Sequence, residues 1–177
     1  MTTLRDFHLL DLFKFNKVNL DPLTETYSMS FYMFYKSNWP EYFRVARAQN
    51  HEIMAYSIGK AEGKGKLWHA HVSAVTVAPL FRRQKLASIL MDDLEYVSNA
   101  IQNAWFVDLF VRAKNSVAIA MYKKLGYSVH RTVLGYYSDN GEDGLDMRKP
   151  MQRDKNRESL ICKKKRIKPS ELEWNTA

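Results

Sequence analysis

A single cysteine, Cys162, stands in this 177-residue chain, so neither an internal disulfide nor a thiolate-rich metal site can be built from it. Long apolar runs are missing too; none reaches the roughly 18 residues that a bilayer crossing needs. The opening Met1-Thr2-Thr3-Leu4-Arg5-Asp6 lacks the basic-then-apolar layout of a secretory leader, and with the lone thiol this points to the cytosol or nucleus. The patterns G-x-S-x-G, H-E-x-x-H, the P-loop and G-x-G-x-x-G are also absent. Wholesale disorder is excluded by a composition 46% hydrophobic and 26% charged, and the length suits one domain with a core and at most a tail.

What is present in excess is positive charge. The net +8, from 27 Lys and Arg against 19 Asp and Glu, invites a nucleic-acid reading. Position argues against it. Ten of the basic residues, and only Asp154 and Glu158 among the acids, lie between Arg148 and Lys168; the remaining 17 cations and 17 anions cancel. A folded face that reads nucleic acid carries its own excess. The polar, aperiodic stretch is therefore expected to be a flexible basic tail, 150–177, behind a domain at 1–149. Its run Lys163-Lys164-Lys165-Arg166 is open to solvation, RNA contact or nuclear import.

Within the domain, residues 3–36 carry apolar positions at helical spacing. Thr3 reads as the N-cap of a first helix ended by Asp21-Pro22, and a second short helix runs from Thr24 through Phe34. Tyr27, Phe31, Phe34 and Tyr35 leave two readings open: packing in the domain's own core, or a face covered by a partner protein. Strands are predicted at 42–46, 53–58 and 68–78, the last stopping at Pro79. A long amphipathic helix follows over 83–99, then a buried strand over 106–111. Asn115 caps a helix ending at Leu125 with Gly126 at C′, and strands follow at 127–137 and 145–148. This order, αα-βββ-α-β-α-β, makes an α+β or α/β domain with a mixed sheet.

His69 and His71 share one face of a strand but lack a third ligand, so no metal is expected and packing is the simpler role. The junction from Val75 to Ala87 carries more chemistry. A strand that stops just before a helix presents free amides and the positive end of the helix dipole, and two arginines there suit a phosphate or pyrophosphate. A plain strand-to-helix connection with solvated arginines is the alternative.

The run Arg82-Arg83-Gln84-Lys85-Leu86-Ala87 resembles the acetyl-CoA loop of the GNAT acetyltransferases, R/Q-x-x-G-x-G/A, with Lys85 where glycine is usual. Asn115, Ala118, Tyr122, Gly126 and Tyr127 are similar to the family's N-x-x-A-x-x-x-Y-x-x-x-G-[FY] segment. Leu20 to Tyr27, Trp39 to Phe43, Phe106 to Arg112 and Tyr136-Tyr137-Ser138 resemble the catalytic subunits of N-terminal acetyltransferase B complexes, over residues 1 to about 149. Two further departures are Lys114 for an expected serine and Gly135 for an expected acid.

The resemblance implies a mixed, mostly antiparallel twisted sheet flanked by helices and splayed between its fourth and fifth main strands. It implies transfer of acetyl from acetyl-CoA to the α-amine of nascent chains beginning Met-Asp, Met-Glu or Met-Asn. Val75, Val77, Arg82, Arg83, Lys85, Leu86, Ala87, Asn115 and Tyr122 are then expected at the cofactor, with Tyr122 protonating the leaving thiolate. Glu25, Tyr27, Tyr136 and Tyr137 are expected around the substrate N-terminus, and His71 and Ser73 at its second side chain. A helical-repeat auxiliary subunit, through which the ribosome is reached in the cytoplasm, is the expected partner. A weakly active or inactive paralogue that still occupies that partner is the alternative raised by Lys85.

Overall fold

The computed structural model describes residues 2–19, 24–162 and 164–172. Among them are strands β1 (Thr3–Asp6), β2 (Arg44–Arg47), β3 (Ile53–Glu62), β4 (His69–Val77), β5 (Phe106–Arg112), β6 (Ser128–Tyr137), β7 (Glu142–Pro150) and β8 (Arg166–Ile167). Helices are α1 (Asn16–Asn19), α2 (Met29–Asn38), α3 (Leu86–Ala100) and α4 (Ser116–Lys124). The strand order is β1-β2-β3-β4-β5-β7-β6-β8, a mixed sheet as expected. The chain forms two compact units, Met1–Lys60 with Val72–Val97 and Ala61–His71 with Ser98–Ala177.

In the first unit Thr3 is not a helix cap. Thr3–Asp6 pairs antiparallel with β2, Thr3 opposite Arg47 and Asp6 opposite Arg44, and β2 pairs antiparallel with β3. The helical spacing of Leu4 and Phe7 misleads because Phe7 anchors the strand's exit, its ring stacked 3.8 Å from Phe43. Asp11 accepts two bonds from Arg5, both 2.7 Å, and one from the His8 amide at 2.8 Å, which closes a 3-10 turn over Leu9–Phe13. The expected stop at Asp21-Pro22 lies outside the described residues. α2 begins at Met29 rather than Thr24 because the Ser28 hydroxyl accepts the Phe31 amide and caps it there. β3 is buried along most of its length, and its faces divide two cores. One holds Phe7, Phe15, Tyr32, Phe43 and Tyr56; the other holds Ala46, Met54, Ala55, Leu86 and Leu90. Each fully buried Phe or Leu contributes about 1.5–3 kcal/mol.

In the second unit β7 pairs antiparallel with β5, from Phe106 opposite Pro150 to Arg112 opposite Gly144, and with β6 on its other side. Much of the stretch expected to be a flexible tail is packed. β8 pairs parallel with β6, and Ile167 and Leu172 are buried with Val133. Asp154, 2% exposed, accepts the Glu158 amide at 2.8 Å and the Ser159 amide at 2.9 Å. The apolar anchors are too sparse to show a period, so the charge run masks them. Lys163 lies outside the described residues.

Candidate active site

In the first unit the residues of β4 and the turn after it form the cationic element. Val75 and Val77 pack on the Met54–Leu86–Leu90 core, and Ala78 donates its amide to Met54 O at 2.9 Å. Pro79 opens a single 3-10 turn, after which Arg82 donates Nε to Val77 O at 3.3 Å. Arg83 and Lys85 both take positive φ, 67° and 62°. That is the left-handed region, costly for a residue with a Cβ and comfortable for glycine. Lys85 meets the demand with its side chain exposed, and its carbonyl accepts the Ile89 amide at 3.0 Å as α3 begins. The helix therefore starts behind a turn bearing Arg82, Arg83 and Lys85, ahead of Leu86 and Ala87. Cations beside first-turn amides and the positive dipole end fit the diphosphate of a nucleotide cofactor.

The same unit brings together Tyr27 and Ser73. The Tyr27 hydroxyl donates to Ser73 O at 3.0 Å, and Ser73 Oγ donates to the Tyr35 hydroxyl at 3.0 Å. Aromatic stacking holds Tyr27 in place: its ring lies 4.1 Å from Phe31, which lies 4.3 Å from Tyr35. Glu25 is exposed on the segment leading into α2.

In the second unit Asn115 Oδ1 accepts the Ala118 amide at 3.1 Å and so caps α4, which carries Tyr122. The Tyr122 ring is buried edge-on to Tyr127 at 5.9 Å, and burial pushes its hydroxyl up to about 12. Gly126, at φ 93°, ends the helix with Lys149 Cε 3.4 Å from where a Cβ would stand. Lys114 is exposed, its amide donating to Glu142 at 2.9 Å, and Gly135 takes φ 59° with its amide on Asp143 at 2.9 Å. Tyr136 stacks on Phe110 at 4.5 Å, and Tyr137 lies under the Arg112 guanidinium at 4.0 Å. Arg112 is itself held by Asp139 at 3.1 Å.

His71 and His69 both face Asp108, with nitrogens 2.8 and 3.6 Å from its Oδ1. Asp108 is fully buried. Burial pushes its carboxyl up, but His69, His71 and Arg148 outweigh that and hold it well below the usual carboxylate range. Sequence reasoning missed Asp108, Asp146, Arg131 and Arg148. The available signal was an acid in the middle of the apolar run Phe106-Val107-Asp108-Leu109-Phe110. Among the described residues no group of three or more His, Cys, Asp or Glu is placed to hold a metal, and no helix is long and apolar enough to cross a membrane.

Residues 9–127 match the Acetyltransferase (GNAT) family. The N-terminal acetyltransferase B complex catalytic subunit NAA20 of Arabidopsis thaliana is 55% identical over 175 residues, covering 99% of this chain and all of the relative. The crystal structure of Chaetomium thermophilum Naa20 in complex with a bisubstrate analogue superposes with a TM-score of 0.89 at 45% identity, over 95% of this chain and 97% of that one. The NatB acetyltransferase complex bound to CoA and MES gives 0.78 at 42% identity, over 84% of this chain and 99% of that one.

Proposed function

Because this chain belongs to the GNAT family of acetyltransferases, we propose that it acetylates the α-amine of chains beginning Met-Asp, Met-Glu or Met-Asn, using acetyl-CoA. The observation that carries this reading is the turn from Arg82 to Lys85, whose two left-handed residues set a cationic cradle at the start of α3. Acetyl-CoA supplies the activated thioester when bound. Arg82, Arg83 and the first amides of α3, at Leu86 and Ala87, hold its diphosphate, with Lys85 adding charge from the rim. The backbone of β4 at Val75 and Val77 offers donors to the carbonyl oxygen as charge develops there. Asn115 fixes the start of α4 and so the position of Tyr122.

An α-amine titrates near about 8, so a fair fraction is already neutral at cytosolic pH and no strong base is demanded. Glu25, Tyr27, Tyr136 and Tyr137 surround the substrate N-terminus, and His71 and Ser73 read the second side chain. Tyr122, kept protonated by burial, donates a hydrogen bond to the departing sulfur. Lys85 adopts the backbone conformation that glycine supplies in related loops, at a strain of about 1–3 kcal/mol. This favours an active enzyme over a silent paralogue.

The catalytic chain works with an auxiliary subunit, a helical-repeat protein that brings it to the ribosome in the cytoplasm. Leu10, Phe13, Met29, Met33 and Phe34 leave much of their apolar surface in solvent, as a covered face requires. Incubating the two-subunit complex with acetyl-CoA and a Met-Asp-Glu peptide should give a product heavier by one acetyl group on the α-amine. Absence of that product overturns the proposal.

A further inference from the structure

Asp108 lies in the middle of β5 with its side chain wholly buried. Its Oδ1 is 2.8 Å from His71 Nδ1, whereas Oδ2 makes no hydrogen bond among the described residues. Arg148 stands opposite on β7 in register, and His69 on β4 approaches no closer than 3.6 Å. An ionised carboxylate accepts hydrogen bonds and donates none. Nδ1 of His71 must therefore carry the proton, and the tautomer with a bare Nδ1 is excluded. The other ring nitrogen, Nε2, makes no hydrogen bond among the described residues, and the side chain is 13% exposed. Asp108 from β5 and the Phe110 ring at 5.5 Å face this imidazole, while Arg148 from β7 and His69 act on Asp108 and Glu62 lies 3.7 Å from His69.

We infer that Asp108 is a positioning residue that pins a proton on His71 Nδ1, so that Nε2 alone meets the substrate's second side chain. The inference rests on the reading of His71 given above. With its proton fixed on the inner nitrogen, the ring has two outward states. Neutral, it offers a lone pair that accepts an amide N–H, as an asparagine supplies. Doubly protonated, it offers an N–H that binds a carboxylate, as aspartate or glutamate supplies, or an amide oxygen. One residue thereby admits both acid and amide second residues.

The test compares kcat/KM of the two-subunit complex on Met-Asp and Met-Asn peptides of otherwise identical sequence between pH 6 and 8.5. Titration of the α-amine is common to both peptides and cancels in the ratio. The Asp-over-Asn ratio should fall about tenfold between the acid and alkaline ends of that range. Asp108→Asn can donate to Nδ1 and leave Nε2–H in place at every pH, so its ratio should stay flat. A flat profile in the wild type, or a folded Asp108→Asn that keeps the fall, overturns the inference. His71→Asn can still donate to Asp108 but offers nothing where Nε2 lies, and it should erase the pH dependence. If it leaves the ratio as in the wild type, the reading of His71 fails and takes this inference with it. If it erases the dependence while Asp108→Asn does not, only the role of Asp108 falls. Should Asp108→Asn not fold, the nitrogen-15 spectrum of His71 in the wild-type complex decides: a protonated Nδ1 supports the inference, a bare one refutes it.

Discussion

Tyr122→Phe removes one hydroxyl and leaves the packing of α4 almost untouched. The ring is 9% exposed, sits edge-on to Tyr127 at 5.9 Å, and its hydroxyl makes no hydrogen bond among the described residues. The variant should therefore fold with a stability within about 1 kcal/mol of the wild type. Catalysis should respond more strongly. Burial pushes the hydroxyl up to about 12, whereas a simple thiol titrates near about 8.5. Full proton transfer to the departing thiolate would run uphill by about 3.5 units, or about 5 kcal/mol. On the proposed reading Tyr122 acts by holding a hydrogen bond to the sulfur as its charge grows, and the released thiolate takes its proton from solvent.

A hydrogen bond to a charged group is worth about 1.5–3 kcal/mol, so kcat should fall about 10- to 150-fold. The pH profile gives an independent check. With its hydroxyl protonated up to about 12, Tyr122 cannot produce an alkaline fall, so kcat at saturating peptide should climb with α-amine deprotonation near about 8 and then stay level to pH 10. Steady-state acetylation of a Met-Asp-Glu peptide by the two-subunit complex, from pH 6.5 to 10, measures both. Unchanged kcat in Tyr122→Phe refutes the hydrogen bond to sulfur. An alkaline fall below pH 10 that disappears in the variant refutes the claim that the tyrosine stays protonated.

Other positions make equally definite demands. Arg82→Ala and Arg83→Ala should each weaken acetyl-CoA about tenfold or more by calorimetric titration, the worth of a charge-assisted phosphate contact, while peptide KM at saturating cofactor barely moves. Gly144→Ala should destabilise by about 1–3 kcal/mol in urea melts and raise peptide KM, because the new Cβ would stand 3.0 Å from Tyr136 Cβ and push that ring off Phe110. His130 is driven down to about 3, first by burial and then by Arg148 and Arg131. Its unfolded value is near about 6.5, so the unfolded chain takes up a proton that the folded one refuses, and stability declines as pH drops from 6.5 toward 3. Urea melts at pH 7, 5 and 4 should show His130→Gln losing about 1–3 kcal/mol less than the wild type over that range.

Elements with strong local signals were readable without the structure. Asn115 and Gly126 bracket α4 because a short acceptor and a residue free to take φ 93° are local requirements. β5 and the body of α3 were equally plain from their apolar patterns. The N-terminus was misread because Thr3–Asp6 owes its extended form to pairing with β2, a partner about 40 residues away that no local period can report. The segment after Pro150 was misread for the opposite reason. Three scattered anchors, Met151, Ile167 and Leu172, order it while cations dominate its composition. At the candidate site, single-residue motifs such as Lys85 and Tyr122 were visible. The supports of Tyr27, Tyr136 and Tyr137 were not, since stacking on Phe31, on Phe110 and beneath Arg112 depends on tertiary geometry.

The least readable feature is the line of charge along one face of β5, β7 and β6. Asp108 stands opposite Arg148, and Asp146 stands opposite Arg131, which binds it at 2.9 Å; Arg148 also reaches Asp146, at 3.1 Å. Its guanidinium also lies 4.6 Å over Phe106, whose ring stacks on His69. All four charged side chains are at most 5% exposed. Buried ion pairs of this kind add little over well-packed apolar residues, while removing one member leaves a charge stranded at about 3–5 kcal/mol. Stability alone therefore gives no reason to fill this face with charge. Position does, because the line ends at His71, where His69 and His71, with Arg148 behind them, hold Asp108 as an anion in a buried strand. The charges fix one proton on one imidazole, and the fold carries the expense of keeping them in place.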